Sequence, residues 1–113
     1  MELKILFDDP TVTVITPTIG SPKLADAMLS VSEQTYSKVK HLVVVDGPEY
    51  ESKVISQHRM LNTANLVYLP ENTGANGFYG HRIYAAFPHL INTDYILLLD
   101  EDNWYEPNHV ETL

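Results

Sequence analysis

Asp100, Glu101 and Asp102 stand in a row directly after Tyr95-Ile96-Leu97-Leu98-Leu99. Three adjacent carboxylates repel one another unless a cation or hydrogen-bond donors hold them. An all-oxygen donor set suits Mg2+ or Mn2+ rather than zinc. A hard cation on a few carboxylates completes its shell with phosphate and water, so the chemistry of this row is that of a metal–diphosphate site. The competing reading is a solvated acidic loop, which is what most acidic loops are. The apolar run before the acids is short and outside any heptad, so it reads as a strand buried on both faces. Ligands of open parallel sheets bind past the carboxyl ends of the strands, where these acids would sit.

Other chemistry finds less support. There is no cysteine, which excludes disulfides and thiolate catalysis. His41, His58, His81, His89 and His109 form no zinc-binding spacing. His109 is nearest the acids and reads better as a surface helix histidine than as a ligand. Asp100-x-Asp102 also suits the nucleophile motif of haloacid-dehalogenase-type phosphohydrolases. Trp104 stands where that motif wants a small residue, and the motif falls on the fourth strand instead of the first. A calcium loop starting at Asp100 fails at Tyr105, where the turn needs glycine. A sugar-nucleotide pyrophosphorylase would want a basic Gly-rich loop where Thr16-Pro17-Thr18-Ile19-Gly20 stands.

The chain has 113 residues, enough for one small domain, 1–113. A formal net charge of -8 argues against a nucleic-acid face and a polybasic membrane anchor. No apolar run approaches the length of a membrane span, and residues 1–10 lack the apolar core of a secretory signal. A cytoplasmic location is the default.

The elements that must position the acids follow in order. Residues 11–16 are rich in β-branched side chains and predict a strand ended by Pro17. Ser21-Pro22 signals a helix start, with Leu24, Ala27, Met28 and Val31 at helical spacing and an end near Gln34-Thr35-Tyr36. Residues 41–45 predict a second strand, broken by Asp46-Gly47-Pro48. A helix over 49–60 has Tyr50, Val54 and Leu61 on its apolar side. Residues 65–69 predict a third strand, and 71–77 a polar turn. A helix with Tyr84 and Phe87 in its core ends at Pro88, and residues 95–99 form the fourth strand. Glu106-Pro107-Asn108 restarts a helix. Strands alternating with helices through short loops predict a parallel sheet with right-handed crossovers.

Four segments, in order and spacing, resemble family 2 glycosyltransferases of the GT-A fold. They are residues 12–18 with Pro17-Thr18, residues 32–36 ahead of Val43-Val44-Val45-Asp46-Gly47, the turn Glu71-Asn72-Thr73-Gly74, and Asp100-Glu101-Asp102 as a DxD element. The resemblance spans 11–110. It implies a Rossmann-like three-layer α/β fold with helices on both faces of a parallel sheet ordered 3-2-1-4. It also implies a chain that is the N-terminal, donor-binding half of a longer fold, with uncovered apolar surface through which it would self-associate.

The implied activity is metal-dependent transfer of a sugar from a nucleotide-diphosphate donor, UDP-sugars favoured, to the hydroxyl of an unknown acceptor. Pro17 and Thr18 would border the nucleotide, and Asp46 would accept from the base or lie near the ribose. Asn72 and Gly74 form the Asn-x-Gly turn of the same site. Asp102 would be the main ligand of Mn2+ or Mg2+. Asp100 would meet the ribose or a metal-bound water, with Glu101 solvated between them. Where the family carries an arginine, this chain reads Phe78-Tyr79-Gly80; Arg82 is the candidate substitute, with a solvent-facing role equally open. Trp104 and Tyr105 would wall the donor pocket or fill the core. No residue matches the family's catalytic base, so a nucleotide-binding chain without turnover is the alternative.

Overall fold

Val12, Val14 and Ile15 are buried along β1 (Val12–Thr18), and so are Thr13, Thr16 and Thr18, because the strand is flanked on both sides and covered on both faces. The computed structural model describes residues 10–61, 63–74 and 80–113; a lead-in expected over 1–10, apart from Pro10, residues 75–77 of the expected polar turn, and 78 and 79 at the start of the helix expected after it lie outside them. Beyond β1 the elements are α1 (Leu24–Ser32), β2 (Val39–Val45), a 3-10 turn Pro48–Tyr50, α2 (Glu51–Leu61), β3 (Asn65–Tyr68), α3 (His81–Ala86), a 3-10 turn Phe87–Leu90, and β4 (Tyr95–Leu98). All strand pairs are parallel, and the spatial order is β3-β2-β1-β4, as expected.

Alternation along the strands splits the core into two layers. Leu24 and Met28 of α1 and Val54 of α2 pack on Val43 and Val45, with Tyr50 and Leu61 beside them. Ala27 and Val31 pack on Val14 and Leu99 of the same face. On the opposite face Ile83 of α3 packs on Ile15 and Val44. The result is the three-layer α/β arrangement. After β3 the chain crosses over the sheet to pair β4 with β1, so the strand order reverses beside β1. Crevices at such reversals, outside the carboxyl ends, are where open α/β sheets bind ligands.

Several boundaries differ from expectation for identifiable reasons. Pro17 does not end β1; the strand runs on to Thr18, in register with Val44 and Val45 of β2. Ile15 directs its carbonyl to β4, so by alternation Pro17 faces that side too, where pairing has already ended at Leu98. A missing N–H costs nothing there. Ser21 does not cap α1 directly: its Oγ accepts from the Lys23 N–H at 3.2 Å and the helix begins at Leu24. The fourth strand is not buried on both faces. It is an edge strand, with Tyr95 60% and Leu98 51% exposed. The expected last helix is a run of turns, with His109 N–H bonded to Glu106 O and Thr112 N–H to Asn108 O.

One core group carries a pH dependence. His41 on β2 is buried, with Nε2 2.7 Å from Thr16 Oγ1 and no partner for Nδ1. Burial pulls its pKa from 6.5 down to about 4. The unfolded chain therefore binds a proton near pH 6.5 that the folded chain refuses until about pH 4. The stability tied to a neutral His41 is fully present above the upper value and is lost as pH falls through the interval, about 3 kcal/mol in all. Urea unfolding across this range should show the parent losing stability more steeply than His41→Gln. Parallel curves would contradict a buried neutral imidazole.

Candidate nucleotide-binding site

The carboxyl ends of all four strands open onto one cavity of about 900 Å3. Pro17 and Thr18 of β1, Asp46 after β2, Asn72 and Gly74 after β3, and Asp100 and Asp102 after β4 all line it. Of the residues assigned to the nucleotide sugar or the metal by resemblance, Arg82 is not brought there. It is exposed on α3, and its neighbour His81 lines the cavity instead. Phe78 and Tyr79, which stand with Gly80 where the family carries its arginine, lie outside the described residues.

Asp46 is 2% exposed, and its neighbours explain how a carboxylate is tolerated there. Its Oδ1 accepts from the Thr73 N–H at 2.6 Å and the Thr73 hydroxyl at 2.9 Å. Its backbone N–H donates to Thr18 O, and its carbonyl accepts from Asn72 Nδ2 at 3.0 Å. Asp46 thus ties the ends of β1 and β2 to the turn after β3. Gly47 lets the chain leave at once, with φ 121°, a conformation closed to other residues.

The three acids do not act as one cluster. Glu101 is not left to solvent alone: it is partly buried and hydrogen-bonded. Its Oε1 accepts from Thr18 Oγ1 at 2.6 Å and the Ser21 N–H at 2.9 Å, and its Oε2 from the Ile19 N–H at 3.0 Å. It clamps the loop after β1 to the loop after β4. Asp100 Oδ1 accepts from the Tyr84 hydroxyl at 2.5 Å. The Tyr84 phenol is pushed well above its usual range by burial first, then by that bond and the Asp100 charge. Burial, then Asp100, pushes Tyr105 up to about 12. Asp102 is exposed at the cavity wall. Hydrogen-bond donors therefore take up two of the three acids, leaving Asp102 and the remaining oxygen of Asp100 for an incoming group. Among the described residues no three His, Cys, Asp or Glu side chains are grouped to hold a metal ion. Two carboxylates nonetheless suit a hard cation whose other ligands are phosphate oxygens and water.

Sequence reasoning missed several participants. Lys53 and Tyr50 line the cavity from α2 and the turn before it, and the stem of Lys53 packs on Gly20. Gly80 lies so close to β1 that a Cβ there would meet Pro17 Cγ at 2.9 Å. The spacing of Tyr50 and Lys53, one helical turn apart just after Asp46-Gly47-Pro48, was the available signal. Trp104 neither walls this cavity nor fills the core, being 61% exposed elsewhere. Tyr105 packs partly on the α1 core layer, and His109 stacks on its ring at 4.2 Å rather than approaching the acids.

This fold and cavity define an α/β protein with a candidate ligand site at the strand-order reversal. The model of glycosyl transferase family 2 matches residues 13–113, so the chain belongs to that family. Its sheet and helices have the GT-A arrangement, and the phosphohydrolase reading of Asp100-x-Asp102 falls away. Among similar solved structures, S. aureus TarS is 20% identical with a TM-score of 0.67, over 90% of this chain and 18% of that one. S. aureus TarS 1-349 in complex with UDP-GlcNAc is 18% identical with a TM-score of 0.66, over 90% of this chain and 29% of that one. The mannosyltransferase PcManGT from Pyrobaculum calidifontis, in complex with GDP-Man and Mn2+, is 25% identical with a TM-score of 0.61, over 85% and 28%. This chain thus spans less than a third of their lengths. No curated protein matches it. Among the described residues no helix is long and apolar enough to cross a membrane.

Proposed function

We propose that residues 1–113 form a donor-binding domain that holds a nucleotide-diphosphate sugar, UDP-sugars favoured, for transfer to an acceptor hydroxyl. The observation that carries this reading is the convergence of Pro17, Thr18, Asp46, Asn72, Gly74, Asp100 and Asp102 on one cavity at the strand-order reversal. The UDP-GlcNAc and UDP bound to TarS 1-349 support it, as does the GDP-Man bound to PcManGT. In this reading Asp46, buried and aimed by Thr73, accepts from the base or contacts the ribose. Pro17 and Thr18 border the nucleoside, and Asn72 and Gly74 shape the wall opposite. Asp100 is held toward the ribose or a metal-bound water by Tyr84.

Asp102, assisted by Asp100, would hold Mn2+ or Mg2+, which neutralises charge developing on the leaving diphosphate. No residue of this chain is assigned as the base that deprotonates the acceptor. A cytoplasmic location goes with this reading, resting on the cysteine-free composition. Exposed Tyr95 and Leu98 on the edge strand support association through apolar surface.

The test is calorimetry of UDP and other nucleoside diphosphates at several Mn2+ concentrations. Nucleotide and cation should tighten each other by the same factor, on the order of ten, or about 1.4 kcal/mol. Asp102→Asn should remove most of that coupling, since the amide keeps one carbonyl oxygen and loses the charge. Asp46→Asn should weaken the nucleotide and leave the effect of Mn2+ largely intact. Affinity independent of Mn2+ in the parent would remove the cation from this reading and leave Asp102 a solvated side chain. A second reading, donor binding without turnover, rests on there being no residue among 1–113 assigned as the base. Measuring UDP-sugar hydrolysis with Mn2+ separates the two.

A further inference from the structure

A second cavity, of about 360 Å3, lies along α1. One wall is the helix face of Asp26, Leu29 and Glu33, and the other is Trp104 with Tyr105 and Pro107. The two walls are pinned together. The Tyr105 N–H donates to Ser30 Oγ at 3.1 Å, Gln34 Nε2 to Glu106 O at 2.7 Å, and the Thr35 N–H to Pro107 O at 2.8 Å. The groove is therefore preformed, with no side chain needing to move aside. Trp104 is 61% and Leu29 40% exposed in it, so apolar area is left facing water.

We propose that this groove binds a basic segment of a partner protein, carrying arginine or lysine at both ends of a short extended apolar stretch. Asp26 on α1 and Glu33, its C-cap, are seven residues apart, about 10 Å along the axis. An Arg-x-x-Arg peptide in polyproline II form spans about 9 Å and returns its second arginine to the face of the first, so both can face the groove. Each carboxylate would face one cation, with Leu29 and the indole beneath the residues between. The face of an indole attracts guanidinium groups, most of all where carboxylates sit beside it. No lysine or arginine of the described chain lines the groove to neutralise the two acids. An uncharged occupant would cover those carboxylates without compensation. A second copy, itself carrying a formal charge of -8, would add like charge. Charge complementarity therefore singles out a cationic partner.

Trp104 is the only tryptophan, so its emission reports on this groove alone. The probe is acetyl-Arg-Leu-Leu-Arg-amide, titrated into the chain. A saturable change in Trp104 emission is expected, lost when salt is raised to about 0.5 M. Asp26→Asn or Glu33→Gln should weaken binding about threefold each, and the pair about tenfold. Both side chains are exposed, so the melting temperature should stay unchanged and confirm an intact fold. Calorimetry of the same peptide with Trp104→Leu should show weaker binding too. The proposal is overturned if acetyl-Glu-Leu-Leu-Glu-amide or a neutral chito-oligosaccharide gives the same saturable change. It is equally overturned if emission shifts with protein concentration alone, which would put a second copy in the groove, or if the arginine peptide leaves Trp104 unaffected.

Discussion

Glu101→Ala is expected to lower the unfolding free energy by about 3 kcal/mol and to weaken nucleotide-diphosphate binding by about tenfold or more. The carboxylate gathers three donors from the last residue of β1 and the loop after it, at 2.6, 2.9 and 3.0 Å. Bonds to a charged acceptor are worth roughly 1.5–3 kcal/mol each, but water reaches this partly exposed site and offsets part of the loss. The binding effect follows from position: the same loop carries Thr18, Ser21 and Pro22, which line the cavity. Glu101→Gln should fall between alanine and the parent. Its carbonyl oxygen can still take the two donors at Oε1, while its amide nitrogen would face the Ile19 N–H, donor against donor. Urea midpoints in the order parent, Gln, Ala would establish the clamp. An alanine variant with the parent's midpoint would show that the loop after β1 holds itself in place.

Gly47→Ala is the second large effect, about 2–3 kcal/mol of stability and a marked loss of nucleotide affinity. At φ 121° the backbone occupies a region that residues with a Cβ rarely enter. The added carbon would lie 2.0 Å from Glu49 Oε1 and 3.3 Å from the Asn72 backbone nitrogen. Glu49 can swing aside, being a flexible side chain, but the dihedral strain remains. Relief would come by shifting residues 46–48, which moves Asp46 away from Thr73. Spectra of the variant should therefore show the signals of Asp46, Asn72 and Thr73 displaced together. A variant with parental stability, and those signals in place, would contradict the strain argument.

The sheet was legible because its strands advertise themselves. Residues 12–16, 42–45 and 65–68 carry β-branched or apolar side chains without strict alternation, which suits strands covered on both faces. Helix signals between them were equally plain, and the 3-10 turn at Pro48 with α2 from Glu51 falls close to the expected start. Less legible were features that depend on which neighbour a strand acquires. The apolar run at 95–98 reads as buried on both faces, yet Tyr95 and Leu98 are exposed, since nothing in its residue types records that, among the described residues, only β1 pairs with it. Pro17 reads as a terminator because its missing N–H matters only where a partner strand is present, and β4 has stopped short of it.

By itself the sequence determined the period and the order of the elements, and through them the end of the sheet at which Asp46, Asn72 and Asp100 to Asp102 gather. Those follow from local sterics and from burial, which act between residues close in the chain. Only the tertiary structure decided what each acid does there. Thr18 lies 83 residues from Glu101, and no local pattern says that its hydroxyl will take that carboxylate rather than Asp102. The hydrogen bond from Tyr84 to Asp100, the outward direction of Arg82, and the removal of Trp104 to a separate groove likewise follow from how loops of different strands pack. A loop side chain turns toward whichever donors or apolar surface lie nearest, and those come from distant segments that meet only once the sheet has formed.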